Sequence, residues 1–253
     1  MKIAVTISGQ PRHHRKGFLQ NKKYFIDKYN ADIYLHSWLG AEFKRYRYGN
    51  IRKLYKATPE VYDQLLEWYQ PKDYLFEKPI NFDAAGIEDT GRINSQMGGF
   101  MSAYRAWNLI EDSGIKYDYI VRTRYDLYYD HYIRQDCPIL NDIGSLDPTK
   151  LHIFRRDDAR DPNLEASLND YFAVGSPEVM RVFYNLFPNM IYYQFVDEKY
   201  HEEYGPNSTS PWGVNKFFNE CVMRYHIRDS HIEVVPHPTD YEPLWYDGAR
   251  IFE

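Results

Sequence analysis

The stretch Tyr117–Asp130, YDYIVRTRYDLYYD, begins as an apolar strand and then fills with charge. Side chains at i, i+2 and i+4 of a strand share a face, so Arg122, Arg124 and Asp126 line up together while Val121, Thr123, Tyr125 and Leu127 face the other way. Three buried charges without partners would be strongly destabilising, so something must meet them. Two arrangements do this. One is a solvent-facing edge strand carrying an Arg–Asp–Arg ladder. The other is a strand of a parallel α/β sheet, whose ligands bind in the crevice beyond the carboxyl ends of the strands, where this segment turns from apolar to ionic. Two guanidiniums and a carboxylate would there suit a diphosphate with a divalent ion, because Arg makes forked bonds to phosphate oxygens and a carboxylate suits a hard cation.

The flanking pattern favours such a sheet. Ile3 to Ile7 is an uninterrupted, β-branched-rich run ending in Ser8-Gly9-Gln10-Pro11-Arg12, as expected of a strand covered on both faces. A helix carrying Phe18, Leu19, Phe25 and Ile26 and a strand at ADIYLHSW, residues 31–38, complete a βαβ unit. Thr58-Pro59, Ser176-Pro177 and Ser210-Pro211 each set a capping hydroxyl before a proline that needs no N–H in a first helical turn. After Pro59, Tyr62, Leu65, Leu66 and Tyr69 form one apolar face. DYLFE (73–77) reads as a strand. INSQMGGFMSAYRAWNLIEDSG (93–114) reads as a helix with Met97, Phe100, Met101, Tyr104 and Trp107 on one side. Its Gly98-Gly99 pair lowers helix stability by roughly 1 kcal/mol per residue relative to alanine, which points either to close approach by an element or ligand or to tight helix–sheet packing. Further strands are expected at Lys150–Phe154, Asp170–Gly175 and His231–Val235. The fold class is therefore α/β.

Composition narrows the function. With 31 Lys+Arg against 36 Asp+Glu, net charge −5, a general nucleic-acid binder held by phosphate neutralisation is disfavoured. The 25 Tyr and 5 Trp suit sugar rings, with apolar faces and hydroxyl rims, or simply an aromatic-rich core. Two distant cysteines, Cys137 and Cys221, make neither a disulfide framework nor a zinc site and fit a reducing compartment. MKIAVTISGQPR reads as a first strand and not a signal peptide. No run approaches the roughly 18 apolar residues of a membrane span. The expected setting is cytoplasmic. The Asn207-Ser208-Thr209 sequon is read as chance.

Taken together, a first strand ending SGQPR, a helix with Ser95-Gln96-Met97, a strand ending R-x-R-x-D-L and the later Asn169-Asp170-Tyr171-Phe172-Ala173-Val174-Gly175 resemble small GT-A-fold nucleotide-sugar glycosyltransferases, such as those of bacterial capsule and large DNA virus glycan loci. The resemblance covers residues 1 to about 185, with weaker support from Trp212-Gly213-Val214-Asn215. It implies a GT-A-like, Rossmann-related, mixed and mostly parallel sheet flanked by helices. It implies a single domain over 1–253, with a nucleotide-binding part at 1–130 and an acceptor-binding part at 131–253. The implied activity is hexosyl or pentosyl transfer from a nucleoside diphosphate sugar, UDP-linked, to a hydroxyl of a glycan acceptor. Ser8, Gly9, Gln10, Arg12, Gln96, Arg122 and Arg124 would hold the donor. Asp126 would stand in the place of the usual D-x-D motif and bind Mn²⁺ or Mg²⁺. The chain departs from that motif, with Arg124 where the first aspartate would be, so either Asp126 holds the ion, alone or helped by Asp130 or a late histidine such as His237, or arginine takes over part of its role in neutralising the leaving diphosphate.

Glycosyl transfer also needs a base for the acceptor hydroxyl. Asp170 is the first candidate, against a loop-capping role for Asn169 and Asp170, and Asp157 and Asp158 come second. Arg12, in the basic cluster Pro11–Lys16 at a helix start, is placed to meet phosphate. His36 sits near a strand end, in the crevice or as a satisfied structural histidine. Trp212, Tyr241, Trp245 and Tyr246 would shape the acceptor side. A non-catalytic sugar or sugar-nucleotide binding module and a nucleotide-sugar hydrolase are the alternatives. His201-Glu202-Glu203-Tyr204 is not H-E-x-x-H, and Walker A, G-x-G-x-x-G and G-x-S-x-G motifs are absent.

Overall fold

The computed structural model describes residues 1–40, 42–47, 50–82, 90–132, 137–156, 168–204 and 219–239. Strand β1 (Ile3–Ser8) is buried at every position. It leads into α1 (His14–Asn21), which runs on through a π-helical turn at Lys22–Ile26 into α2 (Asp27–Tyr29). The chain returns as β2 (Asp32–Trp38) and then forms a hairpin of β3 (Glu42–Arg47) and β4 (Asn50–Lys56). Helix α3 (Pro59–Tyr69), β5 (Asp73–Glu77), the long α4 (Thr90–Ser113) and β6 (Tyr119–Arg124) follow. The second half holds α5 (Tyr129–Tyr132), α6 (Pro138–Asn141), β7 (Leu151–Arg156) and β8 (Leu168–Gly175). It continues with α7 (Pro177–Tyr184), α8 (Leu186–Phe195), α9 (Glu198–Tyr204), α10 (Asn219–Asp229) and β9 (Val234–Thr239).

Seven strands form one sheet in the order β5-β2-β1-β6-β8-β7-β9. β5, β2, β1 and β6 are mutually parallel. β8 runs antiparallel between β6 and β7, and β9 pairs parallel to β7. The expected mixed, mostly parallel α/β sheet is thus present. Strands from 1–130 and from beyond it share the sheet.

The winding reverses at β1: β2 and β5 lie to one side of it and β6 to the other. The helices follow. Phe25 after α1 and Tyr62, Leu65 and Tyr69 of α3 pack with Ile3, Val5, Ile7 and Val121 on one face. Met97, Phe100 and Trp107 of α4 pack with Ala4, Tyr34 and Ile120 on the other, joined by α7, α8 and α10. Such a reversal opens a crevice at the carboxyl edge of the parallel strands. Its last rung is the register pair Ser8 and Arg124.

α3 and α7 start at Thr58-Pro59 and Ser176-Pro177 as expected, but only the second hydroxyl caps: Ser176 Oγ accepts from Val179 N, a bond worth about 1 kcal/mol, whereas the Thr58 side chain makes no cap bond. Ser210-Pro211 lies outside the described residues. Leu19, expected to help carry the first helix, is 57 % exposed. β9 begins three residues later than its expected position because its two prolines, Pro236 and Pro238, fall inside it. Prolines lack the donor that a central strand needs but are tolerated at an edge.

Candidate functional site

Of the predicted donor-site residues, Ser8 ends β1 and Gly9, Gln10 and Arg12 lie in the turn after it. Gly9 adopts φ 107°, a conformation costly for any residue with a Cβ, and no atom lies within 4 Å of where a Cβ would stand. The Gly9 amide donates to Ser102 Oγ of α4 at 2.8 Å, and its carbonyl accepts from Ser37 Oγ at 3.0 Å. Behind Ser102 stands His36, fully buried, with Nδ1 2.7 Å from Ser102 Oγ and Nε2 3.1 Å from Glu77 Oε1. A carboxylate at Nε2 places the ring proton there, so Nδ1 accepts from the serine O–H and the serine oxygen is left to accept from Gly9. Burial pushes the His36 pKa down to about 4, against the opposing pull of Glu77. His36 is therefore a satisfied structural histidine, and what it positions is the glycine turn. The turn closes with Arg12 N donating to Gln10 O, and α1 starts after His13 in the left-handed region.

Arg122 and Arg124 share a face of β6 as the period-two reading requires, but the strand ends at Arg124 and Asp126 lies in the turn beyond. Instead of continuing the row, its carboxylate curls back. Arg124 Nε and Nη2 each donate to it at 2.9 Å, and Arg12 Nη2 lies 3.0 Å from Oδ2. Burial alone would raise the Asp126 pKa, but Arg124 and then Arg12 outweigh it and hold the group below the usual carboxylate range. The turn reaches this position because α1 carries Gly17. A Cβ there would stand 1.7 Å from the Tyr125 carbonyl oxygen, so only glycine lets the peptide dock against the helix.

Arg122 lies deeper. The residue is 3 % exposed, and among the described residues its Nε and Nη1 have no hydrogen-bond partner. Burial lowers its pKa, partly offset by the charge of Asp170. Phe183 lies 6.0 Å from its guanidinium carbon. Ser8 Oγ, on the last rung, is likewise buried without a partner among the described residues. Buried polar groups are nearly always paired, and a charged one left open is a strong pointer to a missing partner.

Asp170 and Tyr171 reach the same place through an irregularity in β8. Between Ala173 and Leu168 its pairing with β7 slips, two residues of β7 spanning five of β8, and bulges of this kind re-aim side chains. Asp170 acts electrostatically on both Arg122 and Arg124. The Tyr171 ring lies 4.4 Å from the Arg124 guanidinium carbon.

Ser8, Gly9, Gln10, Arg12, Arg122, Arg124, Asp126 and Asp170 thus gather at one end of the sheet. Gln96 lies on α4 well before Ser102, its Oε1 accepting from Gln194 of α8 at 3.0 Å and its buried Nε2 without a partner among the described residues. The glycine pair is half explained: Trp38 Nε1 donates to Gly98 O at 3.1 Å, while Gly99 is exposed with no atom near its would-be Cβ. Asp157, Asp158, Trp212, Tyr241, Trp245 and Tyr246 lie outside the described residues.

A divalent ion fits this donor set poorly. Both oxygens of Asp126 are engaged by guanidiniums, and a dication would stand beside two fixed positive charges. The two expected helpers are elsewhere. Asp130 bonds Lys23, Tyr24 and Gln20 by the first helix. His237 of β9, three strands away from β6, bonds His152. Among the described residues no three His, Cys, Asp or Glu side chains cluster as a metal site would need.

A groove of about 530 Å³ lined by Lys199, Glu202, Glu203, Tyr225, Arg228 and Asp229 opens between α9 and α10, at the opposite end of the sheet. Within it Arg228 forks onto Glu203.

No family model and no curated protein matches the chain. Among solved structures it is similar to a glycosyltransferase involved in the glycosylation of the major capsid of PBCV-1. The identity is 11 %, the TM-score 0.37, and the match covers 94 % of this chain and 82 % of that one. At that TM-score the likeness decides neither fold nor chemistry.

The residues that sequence reasoning missed are the supporting ones. Ser102 behind Gly9 carries no motif, and Tyr171 beneath Arg124 stands inside the Asn169–Gly175 stretch with no role of its own assigned. Gly17 has one available signal, a glycine inside an otherwise helical stretch, where close backbone approach is the usual reason.

Proposed function

We propose that the chain is a glycosyltransferase moving a sugar from a nucleoside diphosphate sugar, UDP-linked, to a hydroxyl of a glycan acceptor. The observation that carries the reading is Arg122, a buried guanidinium with an open Nε/Nη1 edge at the switch point of a parallel sheet. Arg12 and Arg124 stand above it at the crevice. Three arginines suit a leaving diphosphate, whose negative charge grows as the sugar becomes cationic in the transition state. Asp126 has the role of orienting Arg12 and Arg124. The open side of Gly9 gives the nucleotide a close approach to backbone. Asp170, beside the arginines, is the base for the acceptor hydroxyl. With its oxygens already committed, Asp126 is not asked to hold an ion, and the arginines neutralise the diphosphate.

The test is a thermal-shift panel of UDP-, GDP- and TDP-sugars, followed by donor turnover. At least one nucleotide sugar should raise the melting temperature and release nucleoside diphosphate, and Arg122→Met should abolish both. If no nucleotide moves the melting temperature at saturation, the reading fails. Tight binding without turnover under any acceptor would make the chain a binding module, and free sugar released in the presence of acceptor would make it a hydrolase.

A further inference from the structure

The strands on either side of Arg122 offer its guanidinium no side-chain acceptor. In register it stands between Thr6 of β1 and Ala173 of β8. The Thr6 hydroxyl is already bonded to Val121 O at 3.4 Å and to the Tyr184 hydroxyl at 2.5 Å, and Ala173 has no polar side chain. The Phe183 ring lies 6.0 Å from the guanidinium carbon. Arg122 Nε and Nη1 are closed to solvent as well as unpartnered among the described residues. Ser8 Oγ is buried and unpartnered in the same way. It shares this face of the sheet two residues along, where Ser8 pairs with Arg124.

Charge defines the partner that this edge calls for. The guanidiniums of Arg12, Arg122 and Arg124 and the carboxylates of Asp126 and Asp170 act on one another electrostatically. That is three positive charges against two negative, an excess of one. His13, which also acts on Asp126, adds to the excess when protonated. An uncompensated charge at a buried place is strongly destabilising. A water molecule satisfies N–H groups but does not cancel that charge. The fitting partner is therefore an acceptor with a single negative charge, small enough to be enclosed where solvent does not reach. A nucleoside diphosphate has to open the same edge to reach it.

We propose that, before any donor arrives, the protein holds one monovalent inorganic anion of halide size on Arg122 Nε and Nη1 and Ser8 Oγ. The two N–H groups and the serine O–H donate to it. The anion is then a competitor, because a diphosphate gains Arg122 only by displacing it. The competition rests on the transfer reading, whereas occupancy by the anion does not.

The probes are chloride and bromide, exchanged against gluconate at constant ionic strength so that screening is unchanged. Chloride should raise the melting temperature of the full chain saturably, by roughly 3–6 °C at ten times its dissociation constant. Arg122→Met should show no such rise, and Ser8→Ala should bind chloride several-fold more weakly. Crystals grown in sodium bromide should show an anomalous peak within hydrogen-bond reach of Arg122 Nε and Nη1, a readout that stands even if Arg122→Met fails to fold. The apparent dissociation constant of a nucleotide sugar should rise about tenfold once chloride reaches about nine times its own dissociation constant. No halide-dependent rise in the wild type, an equal rise in Arg122→Met, or no bromide at Arg122 would overturn the anion site, whatever the nucleotides do. A halide effect without nucleotide binding upholds the anion site and removes the transfer reading alone. Donor affinity indifferent to chloride would overturn the competition.

Discussion

Arg122 carries opposite expectations for stability and for function. A buried guanidinium with open N–H groups is destabilising by itself, and an apolar side chain of similar length removes that penalty. Arg122→Met should therefore melt at or above the wild-type temperature while losing nucleotide binding, checked by calorimetric melting and by titration with UDP. A purely structural arginine would show the reverse. Gly17→Ala should do the opposite of Arg122→Met, lowering stability by at least about 2 kcal/mol in denaturant titration, because the Tyr125 peptide must retreat from the new methyl group. At this scale the sequence told half the story. Period-two alternation aligned Arg122 and Arg124 correctly, because it is a property of any strand. It misled at Asp126, because where the strand stops depends on a helix glycine more than a hundred residues earlier in the chain.

Among the elements, β9 is held to β7 by a histidine pair. His152 Nε2 donates to Asp147 O at 2.9 Å, so its Nδ1 accepts from His237 Nε2 at 3.1 Å. Burial, and then the neighbouring His152, push the His237 pKa down to about 4. An unfolded histidine takes up its proton near pH 6.5. Between pH 6.5 and 4 the unfolded chain thus binds more protons at this position than the folded one, and stability falls as the pH falls. Buried His36 adds a loss of the same sign. Each contributes up to about 3 kcal/mol across that window. Melting temperatures measured from pH 7 to 4 should fall steeply, and His237→Gln should flatten the slope. The strands rich in β-branched residues were legible without the structure. β9 was displaced in the reading because Pro236 and Pro238 look like breaks, and β3 and β4 went unseen because charge obscured their alternation.

For the whole molecule, the order of the parallel strands follows from alternating apolar segments and helices, and it is this order that makes the crevice. The resemblance to metal-using enzymes extended that frame to an ion, which the arrangement around Asp126 does not favour. Donor turnover is accordingly expected to persist in EDTA at the rate seen before chelation, measured by release of nucleoside diphosphate. Loss of activity on chelation, restored by manganese, would show that the carboxylate exchanges its arginine partners for an ion when the donor binds.

The two borders of the main sheet are unequal. On one side β9 offers prolines at alternate positions, which deny an incoming strand its donors. On the other, β5 is only five residues long and begins and ends in an acid, Asp73 and Glu77, while its Tyr74 is 48 % exposed. Should the protein misassemble when partly unfolded, growth by strand addition would start from β5, with Asp73 and Glu77 as the gatekeepers that hold it in check.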